Sequence, residues 1–228
     1  MNRTIALLIA LTLVAACSKE KPLSEVATES GSPSSAAAPA AAAKPPAADA
    51  APITIFTASG DRAFEIALAA NKMTIRYAAD GKVRTIEGDQ HSSGKRKYVE
   101  NGTMIAEVKP GDTGSFKLRS PDGKTLFWKV KRDADKVKIS DNEENKNPFE
   151  LKTKSDRIEI RDASGTAIGA VRFDAAKHTA TVEDAAGQAR FTFASDRADR
   201  FLGVAIIDKI PLPMRAILIA ELSARDRQ

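Results

Sequence analysis

Between Ile53 and Ala194 apolar and polar residues alternate in short runs. In Ser115-Phe116-Lys117-Leu118-Arg119 the apolar side chains take one face and the cations the other. Lys136-Val137-Lys138-Ile139, Asp156-Arg157-Ile158-Glu159-Ile160-Arg161 and Arg190-Phe191-Thr192-Phe193 repeat the pattern. A period of two marks strands buried on one side only. Trp128, the single tryptophan, shares its face with Leu126 and Val130, which places it in the core rather than on a ligand platform. Runs of this kind predict twelve to fourteen strands.

Turn signals separate the runs at a steady interval. Asp80-Gly81, Asn101-Gly102, Asp122-Gly123, Ser164-Gly165 and Ala186-Gly187 place glycines 21, 21, 42 and 22 residues apart, and the polar stretch 141–147 fills the wide gap. Asn-Gly and Asp-Gly suit two-residue hairpin turns, whose central residues both need positive φ. A hairpin every 21 residues implies a strand and turn about every ten, the spacing of an all-β barrel or sandwich.

Near Ser195, a plausible helix N-cap, the pattern changes. Residues 201–222 hold the longest apolar runs of the domain. Pro211 and Pro213 can open a helix but not sit inside one, so a helix is expected from about Leu212 to Arg225. Met214, Ala216, Ile217, Leu218, Ile219, Ala220 and Leu222 leave it almost no polar face. A helix apolar nearly all round is buried in protein or in membrane. Asp208, Lys209 and Arg215 interrupt the stretch and argue against a membrane span. The helix is expected to fill the middle of an antiparallel barrel.

The first 52 residues differ in kind. Arg3 precedes an apolar run from Ile5 to Val14, which is too short to span a bilayer and has the form of an export signal. Val14-Ala15-Ala16-Cys17 resembles the lipobox of bacterial lipoprotein precursors. That resemblance implies removal of residues 1–16 and a Cys17 carrying a thioether-linked diacylglycerol and an amide-linked acyl chain. Several buried chains, at about 0.8 kcal/mol per CH₂, anchor a protein firmly. Cys17 is the only cysteine, so no disulfide can form within the chain. Ser18, rather than aspartate, follows it, which in enteric bacteria implies the outer membrane. Residues 17–52 are rich in alanine, proline and serine, with prolines that include those at 33, 39, 45, 46 and 52, and with no aromatic residue. Such a segment cannot bury enough apolar surface to order itself. It reads as a tether of about 30 Å, leaving residues 53–228 as one domain.

Charge is unevenly placed. The chain carries 35 lysines and arginines against 30 carboxylates. Residues 53–154 hold 20 cations and 15 acids, whereas residues 155–228 hold 11 of each. The excess concentrates at 114–138. Candidate anion-binding residues on outward strand faces are Lys95, Arg96, Lys97, Lys117, Arg119, Lys129, Lys131 and Lys138. Such a field attracts anionic lipid or another polyanion at about 1 kcal/mol per cation near a charged surface. Lysines on outward strand faces equally serve solubility and edge protection.

Many antiparallel strands followed by an apolar C-terminal helix resemble the tubby C-terminal superfamily, which includes phospholipid scramblases and LURP-one-related proteins. Pro213-Met214-Arg215-Ala216-Ile217-Leu218-Ile219-Ala220 is similar to the scramblase terminal segment, and the Asp122-Gly123-Lys124 hairpin with its aromatic-rich following strand fits too. The resemblance implies a barrel of about twelve strands closed around the last helix, and work at membranes. It carries over no named site. The palmitoylated cysteine segment and the acidic calcium loop of scramblases are absent from this sequence, and the phosphoinositide-binding cations of tubby map onto no particular position.

Motifs for catalysis are missing: no GxSxG, HExxH, CxxC or phosphate-binding glycine loop occurs. Of the two histidines, His91 lies in a polar loop beside Ser92 and Ser93, and His178 follows Lys177 at a strand start. Neither has a sequence-evident orienting group. Asp141, Glu143 and Glu144 cluster in a turn without the glycine a calcium loop needs. The expectation is therefore a non-enzymatic lipoprotein without metal or cofactor. It would bind lipid headgroups or another anionic envelope component, or alternatively dock on an envelope protein, and would not meet nucleic acid.

Overall fold

The structure is a computed structural model and describes residues 51–69, 71–196 and 198–226. The proposed signal peptide, Cys17 and the tether up to residue 50 lie outside the described residues. Alternation resolves into fourteen strands: β1 (Ile53–Thr57), β2 (Arg62–Leu68), β3 (Lys72–Ala79), β4 (Lys82–Gln90), β5 (Arg96–Glu100), β6 (Thr103–Pro110) and β7 (Phe116–Arg119). They continue as β8 (Leu126–Arg132), β9 (Lys136–Ser140), β10 (Phe149–Thr153), β11 (Arg157–Arg161), β12 (Ala167–Asp174), β13 (Thr179–Asp184) and β14 (Ala189–Ala194). The count exceeds the twelve or so of the family resemblance.

Each strand pairs antiparallel with the next, and β1 pairs with β14 through Ile55 and Phe193. The barrel is closed and leaves no strand edge for another chain to extend. Every second residue points inward, so Ile55, Ile66, Ile75, Ile86, Leu118, Val130, Ile139, Leu151 and Ile160 are fully buried. Trp128 is buried against Phe149, with ring centroids 6.4 Å apart.

A 21-residue interval is one complete up-and-down pair, so all five glycine turns fall at the same end of the barrel. Asp80-Gly81 and Asn101-Gly102 are two-residue turns with both residues at positive φ. The other three differ from the two-residue expectation. Asp122, Asp162 and Asp184 accept hydrogen bonds from main-chain N–H groups two and, in two cases, four residues on, which favours a longer turn. A bulge beside each of these turns absorbs the extra residue. The opposite end carries the start of β1 and the end of β14.

From β14 the chain turns inward at that second end. Strand β14 stops before Ser195, and a 3₁₀ segment (Arg200–Ile206) crosses the interior with Phe201–Ala205 buried. Its N-cap position belongs to Asp199, whose side chain makes no cap bond, and not to Ser195. Gly203 lets the segment touch the wall, because a Cβ there would lie 2.7 Å from Leu151 Cδ2. After a turn at the glycine-rich end the chain returns as α1 (Leu212–Asp226), whose residues Ala216–Ser223 are all buried. The chain thus fills its own barrel, and α1 ends at the mouth where β1 begins. Among the described residues no helix is long and apolar enough to cross a membrane.

Candidate functional site

Lys109 on β6, Lys117 on β7 and Lys129 on β8 are direct cross-strand partners in one row. Lys131 stands opposite Lys138 of β9 one step further along. Each of the five follows a buried apolar residue, so the strand pleat turns it outward. Like charges set directly opposite one another destabilise a sheet. The arrangement therefore calls for counter-anions, from the protein or from a ligand.

Part of that demand is met internally. The β9–β10 loop folds back and places Glu143 2.7 Å from Lys117 Nζ and 2.5 Å from Arg119. Lys129 donates to the Glu143 carbonyl and lies 3.9 Å from its carboxylate. Hydrogen bonding from Lys117 first, and the charges of Lys117 and Arg119, hold the Glu143 carboxyl below its usual range. Lys138 pairs with Glu150 at 3.2 Å and Lys95 with Glu107 at 3.2 Å. Among the described residues Lys97, Lys109 and Lys131 make no ion pair.

Lys109, Lys117, Lys129 and Lys131 converge on a groove of 490 Å³ at the end of the barrel where β1 begins. The β6–β7 turn forms its rim, and there Thr113 adopts φ 52° and ψ 36°. Positive φ is strained for a β-branched residue and is a feature of ligand clamps and active sites. Asp112 and Asp133 are the acids of the lining, against the four lysines and Arg132.

Lys95, in the turn before β5, and Lys97, Arg119 and Lys138 lie outside the groove lining, and Arg96 points into the barrel. Arg96 does not stand on an outward face. It shares the inner face of β5 with Tyr98, and its guanidinium meets Glu221 of α1 at 2.9 Å. The bulge at Tyr98/Val99 and the neighbouring Gly88, whose missing Cβ leaves room for Arg96 and Tyr98, make this possible. Glu221 is fully buried and also binds Tyr98 Oη at 2.6 Å and the Arg225 guanidinium. Arg225 lies over the Phe116 ring at 4.4 Å, while Arg132 reaches inward to Asp226. Burial pushes the Tyr98 hydroxyl up to about 12 and Arg225 down to about 10. An acid within the apolar run LIAELSA was the signal for this network, because a carboxylate buried in a helix must be paired.

No family model matches the chain, and no curated protein or solved structure matches it. The geometry alone carries the functional reading. His178 pairs with Asp196 at 2.9 Å on the surface, and His91 stays in its exposed loop. Among the described residues no three His, Cys, Asp or Glu side chains are grouped as metal ligands would be.

Proposed function

We propose that this chain is a non-enzymatic envelope lipoprotein, anchored through acylated Cys17 at the outer membrane, whose barrel binds an anionic component through the β6–β9 face. The observation that carries the reading is the row Lys109–Lys117–Lys129 with Lys131 beside it, cations placed in register around a groove and only partly neutralised by Glu143. A closed barrel filled by its own C-terminal helix supports kinship with the tubby-like superfamily and its work at membranes, although fourteen strands exceed that family's usual number. Lysine ammonium groups on flexible stems suit a field of phosphates or carboxylates better than one bidentate ligand.

The test uses the Cys17→Ser chain, which retains the barrel without the anchor. It should bind vesicles of anionic phospholipid and not zwitterionic ones, and binding should fade steeply between low and physiological salt. Reversing Lys109, Lys129 and Lys131 to glutamate should abolish it with little change in melting temperature. Equal binding to both vesicles would sink the reading. Salt-insensitive capture of an envelope protein would replace it with the docking alternative.

A further inference from the structure

The glycine-rich end of the barrel, away from the lysine groove, holds a cavity of 580 Å³. Its walls are the β9–β10, β11–β12 and β13–β14 turns, and the turn between the 3₁₀ segment and α1 closes it below. The floor is apolar: Phe149 is buried, while Ile168, Phe191 and Ile206 remain half-exposed to the space. Ile206 reaches the wall because Gly169 has no side chain there; a Cβ would lie 2.4 Å from Ile206 Cδ1. Size, an apolar floor and position at a barrel mouth are the marks of a small-molecule site.

The rim decides which molecule. Five charged residues line it, and four of them are paired. Asp184 meets Arg190 at 3.5 Å, Asp208 meets Arg215 at 2.8 Å, and Lys209 meets Asp141 at 3.3 Å. Asp162 has no cation partner among the described residues. Its Oδ1 accepts from the Ser164 N–H at 2.9 Å, the Ser164 hydroxyl at 2.7 Å and the Thr166 N–H at 2.9 Å, which leaves Oδ2 without a bond. Those bonds, the Ser164 hydroxyl foremost, favour the ionised form and hold the carboxyl below its usual range. A carboxylate without a cation partner beside an apolar floor is complementary to a cation attached to an apolar body.

We propose that this cavity binds an amphipathic primary amine, with its ammonium on Asp162 and its apolar part on Ile168, Phe191 and Ile206. The site stands apart from the anion-binding face and does not depend on it, since the two lie at opposite ends and carry opposite charge preference. A fatty acid of the same length would meet Asp162 with a like charge and be rejected. A small amine without an apolar part would gain nothing from the floor.

The test titrates the Cys17→Ser chain with hexylammonium, hexanoate and methylammonium, followed by ¹⁵N chemical shifts of residues 162–169 and by calorimetry. Hexylammonium should saturate, with the other two weaker by about tenfold or more. Asp162→Asn keeps the Oδ1 acceptor and therefore the turn, and should weaken hexylammonium by about tenfold at an unchanged melting temperature. Ala163→Trp, at the hairpin tip lining the cavity, should fill the space and abolish binding, and it decides the matter if the asparagine variant disturbs the turn. Equal binding of hexanoate, an Asp162→Asn affinity equal to the parent, or no saturable binding of hexylammonium would each overturn the proposal.

Discussion

Tyr98 Oη and Glu221 Oε1 lie 2.6 Å apart inside the barrel, joining β5 to α1 across 123 residues of sequence. The same carboxylate pairs with Arg96 and Arg225, so one acid serves two guanidinium groups and accepts a hydrogen bond from a phenol. Removing it leaves buried cations without a partner, a loss of about 3–5 kcal/mol. Glu221→Ala should therefore approach global unfolding in a domain stable by about 5–15 kcal/mol. Glu221→Gln keeps an acceptor for Tyr98 and should cost less. Urea unfolding of both variants checks this, and equal costs would show that the retained acceptor contributes nothing once the charge is gone.

Ile217 and Leu218 are fully buried in α1 although they lie close to the end of the chain. Truncating each to alanine costs about 2–5 kcal/mol. The double variant should barely fold, and a chain ending after Pro213 should not fold at all. Circular dichroism without detergent is the measurement. A cooperative β-type melt from the truncated chain would mean that the barrel does not need its filling.

Alkali offers an optical test, because the chain contains two tyrosines and both are buried. Burial, and then a hydrogen bond to Glu100, push Tyr77 up to about 12; burial does the same to Tyr98. A pKa raised on folding gives stability that is complete below the unfolded value near 10 and is lost as pH rises through about 12. Tyr77 should thus cost about 1.4 kcal/mol per pH unit across that window. Arg225, held down to about 10 by burial, acts in the opposite sense there and partly offsets Tyr98. Absorbance at the tyrosinate band should stay flat to about pH 11 in the native chain and rise near 10 once it is unfolded. Titration of either tyrosine at its ordinary value in the folded protein would contradict the burial.

Glu143 gives a prediction with the sign of a gain. It neutralises part of the cation row through Lys117, Arg119 and Lys129. Glu143→Gln should strengthen low-salt binding to anionic vesicles several-fold and steepen its salt dependence. Stability should shift little, since the pairs are partly solvated. Unchanged or weaker vesicle binding would show that the lysine row is not the contact surface.

Local rules made the barrel legible. Alternation at 115–119, 136–139 and 156–161 placed strands where they are, and the proline pair before Met214 placed the start of α1 at Leu212. Less was legible where a distant contact decides. Nothing near Ser195 shows that the chain turns inward there, and Asp122, Asp162 and Asp184 lengthen turns that a glycine alone makes look short. Lys117, Lys129 and Lys131 were placed on one face by pleat, but their meeting with Lys109 is a matter of register. Arg96 looked like its neighbours Lys95 and Lys97, because the acid that draws it inward sits 125 residues away.

Closure through Ile55 and Phe193 has a kinetic consequence. Thirteen of the fourteen strand pairings join consecutive strands and are cheap to form in terms of loop entropy. The last spans nearly the whole domain and, with the entry of α1, must await synthesis of its final residues. Until then the growing sheet presents two raw edges and an empty apolar lining. Folding of this chain should end in a slow, late event, the closing of one seam whose two strands lie far apart in sequence.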